Sequence, residues 1–571
     1  MDLSTWNSAY FLENENDCLK YIKENYYSIP YLNVNNFEDI NSNSLVRFRG
    51  MVQDMYDPEY YLEKCLVRNT SNNSTCIKTG KYSDVLDCKE GEVLDVENKD
   101  NISSERQTFI VISTPAVNSW VKEIETAKYR IEHNNKRSNK STKRPLDNLE
   151  EMDTFVKTET LPNKKICSGG NKDTRQTILS KEHYLNFPIP EGGKTCQVKI
   201  YQNENNIRLN EVYDFIGFLS NDVALGQIAN DDNDVGFEME IQTHNPPSSL
   251  IPRMHCVFWN TVEHSNPLVG QVDTDVGRIQ FLKKELHLML TEIMMGDELA
   301  ANYLLYHLLS KVYLRKDLMP LGTFTLNISN IPADAIEDYS NKLYDLLQSL
   351  LPKSHYLPMS LENMNDLTFV PKKDYSCNRL TSGLLQLSEG THLVLDEMKL
   401  SNGRLNESGV KAVSTIKNLI KCQKIPYDFT YFTMEFDCDI PLLILSEGKS
   451  LFPSDFHVIL KPSEIHVNTF NEIYDAIKKL LNPNLLNDIR VYLTISRNNQ
   501  YEISNNMLEI VQNDFVHLRQ TQQINADDLH QLLVLARLIC LSEGKSTLDQ
   551  ECWRTACHLE SQHITIRNIL F

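Results

Sequence analysis

Alternating apolar and polar positions predict short strands along the first half of the chain. In residues 46–52 the side chains of Val46, Phe48 and Val52 fall on one face, because alternate residues of a strand share a face. Gly50 and the polar residues 203–206 are typical of turns. Further strands are predicted at residues 107–112, 197–201 and 211–219. Several short strands in one region favour a β-barrel or a β-sandwich.

The pattern changes after the proline-containing linker at residues 245–249. Apolar runs there alternate with stretches of helical periodicity, which favours a mostly parallel sheet covered on both faces. The predicted strands are residues 323–328, 393–395, 441–445, 456–460 and 490–495. The predicted helices are residues 299–308, 335–351 and 525–570.

A polar stretch without apolar clusters, residues 132–180, interrupts the first region. Its composition cannot offset the entropy of ordering by burial, so it is predicted to be a disordered insertion. It contains a basic cluster made of Lys136, Arg137, Lys140, Lys143 and Arg144. Such a cluster suits a nuclear import receptor or a phosphate backbone. The plain alternative is a solvated run of charge.

Charge narrows the choice of partners. The 571 residues include 57 Lys and Arg against 77 Asp and Glu, for a net charge of −20. Phosphate neutralisation drives the affinity of proteins for nucleic acid, so nucleic acid is not the expected partner of the whole chain. No apolar run is long enough for a membrane helix, and residues 1–30 lack the order of a signal peptide.

The cysteines do not predict a metal site. The chain has 13 of them, scattered and without a C-x-x-C pair. The nearest approach to ligand spacing is Cys552, Cys557 and His558, which is better explained as one stretch of helix. A reduced, intracellular setting is expected.

One acidic motif raises the question of nucleotide chemistry. The apolar run 393–395 ends in Asp396 and Glu397, an arrangement in which Asp can hold Mg²⁺ and Glu can polarise water. An acidic end is also common in strands of no catalytic role. A phosphate loop needs a Gly five residues before its Gly-Lys-Ser. The two triplets, 448–450 and 544–546, have Leu443 and Ile539 at that position.

From Leu45 to the end, the chain resembles the minichromosome maintenance complex-binding protein (MCM-binding protein) family. Many separate motifs keep their order, and together they cover most of the chain. They are residues 45–55, 105–109, 185–190, 321–325, 373–375, 378–380, 382–387, 446–451 and 526–533.

The resemblance implies an α+β multidomain fold. The MCM helicase subunits to which that family is similar carry an OB-type β domain followed by an AAA-type ATPase domain. The expected domains are a partly helical segment (1–40), an OB-like β-barrel domain (41–245) with the disordered basic insertion (132–180), a degenerate AAA-like α/β domain (250–520) and a helical, lid-like segment (521–571).

When this chain is matched residue by residue to the helicase subunits, the resemblance implies an ATPase-like scaffold without ATPase chemistry. Asp396 and Glu397 match the acids of the Walker B strand, but residues 327–332 supply neither Gly nor Lys after the predicted first strand. The other matches are Ser446 at a polar sensor position, Asp455 in place of a finger Arg, and Asp527 near a second sensor Arg. No catalytic residue, metal or cofactor is therefore expected.

The function that the resemblance implies is a nuclear, non-enzymatic partner of MCM helicase subunits in DNA replication. Such a partner would chaperone, remodel or unload the MCM complex, with a role in sister chromatid cohesion and cell division, and would associate with chromatin only indirectly. Two alternatives remain open. One is an active ATPase with a divergent phosphate loop. The other is an OB-fold that binds single strands through Arg47, Phe48 and Arg49.

Overall fold

The structure is a computed structural model of the 571-residue chain. It describes residues 6–35, 40–70, 74–84, 86, 88, 91–95, 98–140, 193–201, 207–220, 240, 243–248, 250–270, 275–317, 319–332, 336, 338–522 and 525–570. Two regions follow one another along the chain. We call residues 6–261 the β region and residues 275–570 the α/β region.

Five strands of the β region close into a ring. The strands of this region are β1 Leu45–Met55, β2 Glu59–Asn69, β3 Thr75–Thr79, β4 Glu92–Leu94, β5 Ile102–Ile112, β6 Thr195–Ile200, β7 Val212–Ser220 and β8 Arg253–Thr261. Strand β1 pairs with both β5 and β7, β7 pairs with β8, β8 with β6, and β6 with β5. The pairing of β6 with β8 is parallel and the others are antiparallel.

The last strand of the ring lies beyond the predicted linker at residues 245–249. Strand β8 pairs with β6 and β7, so the β region extends past the predicted boundary at 245–250. Its polar residues Arg253 and His255 are buried beside Asp84. Because both polar and apolar residues of β8 are buried, the alternation that marks a half-exposed strand is absent there.

Strand β1 is buried on both faces. Val46, Phe48 and Val52 pack into the ring interior, which confirms the predicted shared face. Gly50, predicted to form a turn, lies instead inside β1. A Cβ atom at this position would lie 2.4 Å from the carbonyl oxygen of Ile112 in β5. The glycine therefore permits the close approach of two strands where the ring closes.

Helices border the ring. The N-terminal helices α1 Ser8–Glu13 and α2 Glu15–Glu24 pack against its outer side, so the partly helical start is confirmed. Helix α3 Ser119–Lys140 follows β5. It covers the first nine residues of the predicted insertion 132–180, since a regular helix continues to Lys140. The rest of that prediction lies outside the described residues.

A five-stranded parallel sheet forms the centre of the α/β region. Its order is β12-β15-β18-β11-β19, and every pairing in it is parallel, as the alternation of strands and helices predicted. The strands of this region are β9 Leu314–Lys316, β10 Met319–Leu321, β11 Leu326–Ser329, β12 Ser354–Pro358, β13 Lys372–Asp374, β14 Arg379–Thr381, β15 His392–Asp396, β16 Lys424–Asp428, β17 Thr433–Asp437, β18 Leu442–Leu445 and β19 Phe456–Ile459.

Helices pack on the parallel sheet and extend to the C-terminal end. They are α4 Val276–Ile293, α5 Glu298–Leu309, α6 Tyr339–Leu350, α7 Leu361–Asp366, α8 Glu407–Cys422, α9 Glu464–Asn468, α10 Phe470–Leu480, α11 Pro483–Asn498, α12 Asn505–Gln522, α13 Ala526–Ser542 and α14 Gln550–Leu570. The helices predicted for 299–308, 335–351 and 525–570 are confirmed. Leu535 of α13 and Trp553 of α14 are buried in the same hydrophobic core as Phe456 of the sheet.

The strand predicted at residues 490–495 was wrong. These residues lie in α11, which begins at Pro483 with Asn482 as its cap. Ile489, Val491 and Leu493 are all buried, because neighbouring elements surround this helix. An apolar run that is buried all round does not distinguish a helix from a strand by periodicity alone.

Buried polar side chains fix the two regions against each other. Asp54 Oδ2 accepts a hydrogen bond from the Leu380 amide at 2.8 Å, and Gln53 Nε2 donates to the Leu380 carbonyl at 2.9 Å. Asn118 Nδ2 donates to the Leu351 carbonyl at 2.6 Å. Such directional bonds between buried groups specify one arrangement. Within the described residues, no helix is long and apolar enough to cross a bilayer.

Candidate functional site

The candidate site is the edge at which the parallel strands end. In open α/β sheets ligands bind outside the carboxyl ends of the strands. Strand β15 ends at Asp396, which lies beside Leu445 at the end of β18, and Leu445 lies beside Ile328 of β11. The fold therefore brings Asp396, Glu397 and Ser446 to the same edge, as the carry-over implied.

Both carboxylate oxygens of Asp396 are bonded to groups of the chain itself. Asp396 is fully buried. Its Oδ2 accepts from the Tyr356 hydroxyl of β12 at 2.5 Å, and its Oδ1 accepts from the Met398 amide at 3.0 Å. Burial, together with this bond to Asp396, raises the pKa of Tyr356 well above its ordinary value. A Mg²⁺ ion at Asp396 would have to displace these partners.

Glu397 is held in the same way by the loop that follows β18. Its Oε1 accepts from Ser450 Oγ at 2.8 Å and from the Leu451 amide at 3.1 Å. Burial raises the pKa of Glu397 despite these two hydrogen bonds. The Leu451 amide is thus directed at a carboxylate of the chain itself.

The loop after β18 also closes over β11. Ser446 Oγ lies within donating distance of Asn327 Oδ1 at 2.9 Å and the Gly448 carbonyl at 3.0 Å. The Asn330 amide donates to the Glu447 carbonyl at 3.1 Å. Residues 446–448 are therefore held against the end of β11 by hydrogen bonds.

The chain leaving β11 is not shaped as a phosphate loop. Asn330 is in the left-handed region at φ 62°, and its Nδ2 donates to the Leu460 carbonyl at 2.8 Å. Helix α6 begins only at Tyr339, and its cap Asp338 makes no side-chain capping bond. A phosphate site needs a glycine-rich loop that leads directly into a helix N-terminus. Residues 327–332 provide no such junction.

Neither Gly-Lys-Ser triplet supplies a phosphate-binding lysine of the required geometry. Lys449 is exposed, and the residues after it bind Glu397 as described above. Lys545 lies between α13 and α14, where its Nζ is 2.7 Å from both Glu543 and Asp549 carboxylates. That lysine holds the two helices together.

Asp455 lies at the opposite edge of the sheet from Asp396. It precedes β19, is partly buried, and its Oδ2 accepts from the Thr325 amide at 2.7 Å. Burial raises its pKa. Asp455, which the resemblance matched to a finger Arg position, therefore holds the start of two strands together. Asp527, by contrast, is exposed in the first turn of α13.

The side chains proposed for single-strand binding are used inside the β region. Phe48 is in the ring interior. The Arg47 guanidinium lies 4.3 Å from the ring centroid of Tyr31. Arg49 makes ion pairs with Asp214 at 2.6 Å and with Glu125 at 2.5 Å. None of these three side chains is presented to a nucleic acid strand.

The basic cluster is divided by the end of α3. Lys136, Arg137 and Lys140 lie in the last turns of that helix. Lys143 and Arg144 lie outside the described residues. The import-like role of these five residues stays a prediction.

A cavity of about 300 Å³ lies beside Arg49, one of the residues proposed for single-strand binding. It is bounded by α3 and the ring, and Arg49, Lys122 and Glu125 are among its lining residues. It shares no residue with the carboxyl edge. Among the residues that the structure describes, no three His, Cys, Asp or Glu side chains form a group able to hold a metal ion.

Fold and site together define a multidomain α+β protein whose acidic sheet edge is closed by its own hydrogen bonds. The chain belongs to the family described as Mini-chromosome maintenance replisome factor, which matches residues 17–566. The expected family is thereby confirmed.

Curated relatives match at nearly full length. The chain is 38% identical to the Mini-chromosome maintenance complex-binding protein of Danio rerio, over 94% of this chain and 90% of that protein. It is 37% identical to the protein of the same name from Drosophila melanogaster, over 94% of this chain and 92% of that protein. It is 36% identical to the protein of the same name from Homo sapiens, over 93% of this chain and 90% of that protein.

Proposed function

We propose that this chain is a non-enzymatic binding partner of MCM helicase subunits in DNA replication. Its relatives are named for binding the MCM complex. The observation that carries the non-enzymatic part is the closed carboxyl edge. Asp396 and Glu397 are bonded to neutral groups of the chain, and no lysine from a phosphate loop accompanies them.

The two regions suggest how such a partner would work. The closed ring of five strands supports an OB-like barrel, and the parallel sheet with its acidic edge supports an AAA-like module that lacks ATPase chemistry. Such a module would occupy a subunit face of an AAA-type ring while providing neither a phosphate loop nor a finger Arg. A neighbouring subunit would then be blocked from completing a hydrolysis site.

The proposed role is that of a nuclear chaperone, remodeller or unloader of the MCM complex, with effects on sister chromatid cohesion and cell division. Association with chromatin would be indirect. Nucleic acid is not proposed as a partner, since Arg47 and Arg49 are committed to internal contacts.

The first test is recovery of MCM subunits from nuclear extract with the full-length chain as bait. We expect MCM subunits to be recovered at moderate salt. Extract from the same cells passed over an unrelated acidic bait is the control. Recovery of no MCM subunit overturns the proposal.

The non-enzymatic part is tested by calorimetric titration of the full chain with ATP, with and without Mg²⁺. We expect no saturable binding heat. Tight, Mg²⁺-dependent binding that disappears in Asp396→Ala would replace the proposal with an active ATPase. For single-strand binding, a steep loss of affinity with salt that is weakened in Arg47→Ala/Arg49→Ala would favour that alternative instead.

The nuclear part is tested by localisation. Substitution of Lys136, Arg137, Lys143 and Arg144 by Ala is expected to move the chain to the cytoplasm. Unchanged nuclear staining of this variant would count against an import role for the basic cluster.

A further inference from the structure

A small antiparallel hairpin of the α/β region ends in an exposed turn. It consists of β16 and β17, joined by residues 429–432. It belongs to a four-stranded sheet of order β14-β13-β16-β17, in which β17 is an edge strand. Edge strands present unpaired backbone groups and are used for association unless they are protected.

The end of this hairpin carries a cluster of exposed apolar side chains. Tyr431 is 84% exposed, Phe432 53% and Met434 46%. Tyr375 is 50% exposed, and its ring centroid lies 5.6 Å from that of Tyr431. We call these four side chains the hairpin tip. Exposed apolar side chains that lie together, unlike scattered ones, mark interaction surfaces.

The hairpin tip is held in one shape before any partner binds. The rings of Phe429 and Phe432 are stacked with centroids 5.0 Å apart. The Thr430 amide donates to Asp428 Oδ1 at 2.7 Å, and the Tyr375 hydroxyl donates to the Phe429 carbonyl at 2.9 Å. A preorganised aromatic anchor loses little conformational entropy when it binds.

The hydrogen-bonding pattern also leaves an edge open beside the tip. The Phe429 amide donates to the Phe432 carbonyl, and the Cys438 amide donates to the Gln423 carbonyl. Paired residues of an antiparallel ladder alternate between bonded and non-bonded pairs, so Thr433 and Glu435 fall in non-bonded pairs and direct their backbone groups away from β16. Within the described residues, no backbone partner meets these groups.

The charge of the hairpin indicates which kind of partner would bind to this surface. The hairpin, residues 424–437, carries Asp428, Glu435 and Asp437 against the single cation Lys424, and is therefore net acidic. Lys424 Nζ lies 3.7 Å from Glu435 and Arg315 Nη1 lies 3.5 Å from Asp437, but both carboxylate side chains remain about half exposed. An acidic hairpin repels a phosphate backbone. It complements a protein surface with an apolar pocket and a basic rim.

We propose that the hairpin tip and the open edge of β17 dock onto an MCM subunit. Tyr431 would fill an apolar pocket whose rim is basic, and the backbone of Thr433 and Glu435 would add to a strand of the subunit. This inference rests on the proposed function and assigns its contact surface. The hairpin tip and the carboxyl edge of the parallel sheet share no residue.

The test measures the affinity of the full chain for purified MCM subunits by titrating the chain over subunits immobilised on a sensor surface. Tyr431→Ser is expected to weaken binding by about tenfold or more, as truncation of a central aromatic anchor does. Tyr60→Ser is the matched control, because Tyr60 lies in β2 of the β region and is 76% exposed. It is expected to bind like the unmodified chain.

Weak binding by Tyr431→Ser, together with normal binding by the control Tyr60→Ser, supports the inference. Equal binding by the unmodified chain and Tyr431→Ser overturns it and leaves the proposed function standing. Failure of the unmodified chain to bind any MCM subunit overturns both. Release of a labelled single-stranded oligonucleotide by Tyr431→Ser, with unchanged binding of MCM subunits, assigns the surface to nucleic acid and overturns the inference.

A charge reversal provides a second test that does not depend on the aromatic ring. Glu435→Lys is expected to weaken binding several-fold at low salt, and the gap to the unmodified chain is expected to narrow at high salt. Glu407→Lys, at an exposed residue in the first turn of α8, changes the net charge equally and is the control. Tighter or equal binding by Glu435→Lys overturns the inferred basic rim.

Discussion

Two sites, one in each region, bury carboxylates by opposite means. In the β region Asp84 lies among cations, with Arg253 Nε at 2.9 Å and Lys199 Nζ at 3.3 Å. At the carboxyl edge of the α/β region, Asp396 and Glu397 are bonded to hydroxyl and amide groups. A buried charge is tolerated when an opposite charge or strong hydrogen bonds accompany it.

The difference appears in the direction of the pKa shifts. Burial acts to raise the pKa of Asp84, but the neighbouring His255 and the charges of Lys199 and Arg253 hold it far below its ordinary value. Burial raises the pKa of Glu397, and its neutral partners only reduce that rise. The charged partners of Asp84 therefore stabilise its ionised form, whereas the described partners of Asp396 and Glu397 are neutral hydrogen-bond donors.

The largest expected effect comes from breaking the ion pairs of the β region. Asp84→Ala would leave Arg253 and Lys199 buried without their carboxylate, so we expect a loss of about 3–5 kcal/mol in the free energy of unfolding. Urea denaturation measures it. Exposed Asp57→Ala is the control and should change stability by less than about 0.5 kcal/mol. A similar loss in both variants would contradict the ion-pair explanation.

A second prediction concerns the joint between the regions. Burial raises the pKa of Asp54 to about 6, although the Leu380 and Met55 amides bond to it. Because the folded pKa exceeds the ordinary value, the folded chain binds more protons, and the contribution of Asp54 to stability falls as pH rises from about 4 through about 6. Asp54→Asn should flatten the slope of unfolding free energy against pH in this window.

The magnitude of that slope follows from the shift. A rise of this size corresponds to about 2–3 kcal/mol between the two ends of the window. Denaturation at a series of pH values measures it, with Asp57→Asn as the control for a general charge effect. If Asp54→Asn keeps the slope of the unmodified chain, another group is responsible.

The third prediction concerns the hydrogen bonds of Asp396 at the carboxyl edge of the parallel sheet. Asp396→Ala removes the acceptor of the Tyr356 hydroxyl and the Met398 amide, so a loss of about 1–3 kcal/mol in unfolding free energy is expected. Asp396→Asn keeps one acceptor and the shape, and should lose about 1 kcal/mol or less. An equal loss of unfolding free energy in Asp396→Asn and Asp396→Ala would mean that the negative charge itself is required for stability.

The smallest effect is expected at Glu397. Both of its strong contacts are made by Oε1, which the amide oxygen of Gln can replace, so Glu397→Gln should change the free energy of unfolding by less than about 0.5 kcal/mol. Asp214→Asn is the matched comparison in the β region, where Arg49 lowers the pKa of the carboxyl against the effect of burial. We expect Asp214→Asn to lose more unfolding free energy than Glu397→Gln. Thermal unfolding of both variants measures the two losses, and a larger loss in Glu397→Gln would contradict the comparison.

Much of the candidate site could be predicted from sequence. The run 393–395 followed by two acids is a local pattern, and parallel strands necessarily end at one edge, so Asp396 and Glu397 were placed correctly at the end of β15. The partners of those acids could not be predicted. Tyr356, Ser450 and Leu451 come from other strands and loops, and no local pattern relates them to β15.

The places where prediction failed share a physical cause. Residues 490–495 and strand β8 are both enclosed on more than one side, so burial erases the periodicity on which local prediction depends. Arg47 and Arg49 offered the composition of a nucleic acid contact. Only the tertiary structure showed that Arg49 is paired with Glu125 and Asp214 and that Arg47 is buried against the ring of Tyr31.

The sequence by itself determined the order of a strand-rich region and an α/β region, the acidic end of β15 and membership of the family, because each depends on residue type and spacing along the chain. Only the tertiary structure decided that β8 closes the ring, that Asp455 faces away from Asp396, and that Asp54 joins the two regions. These depend on which distant residues meet, and burial then fixes whether a charge is paired, hydrogen-bonded or exposed.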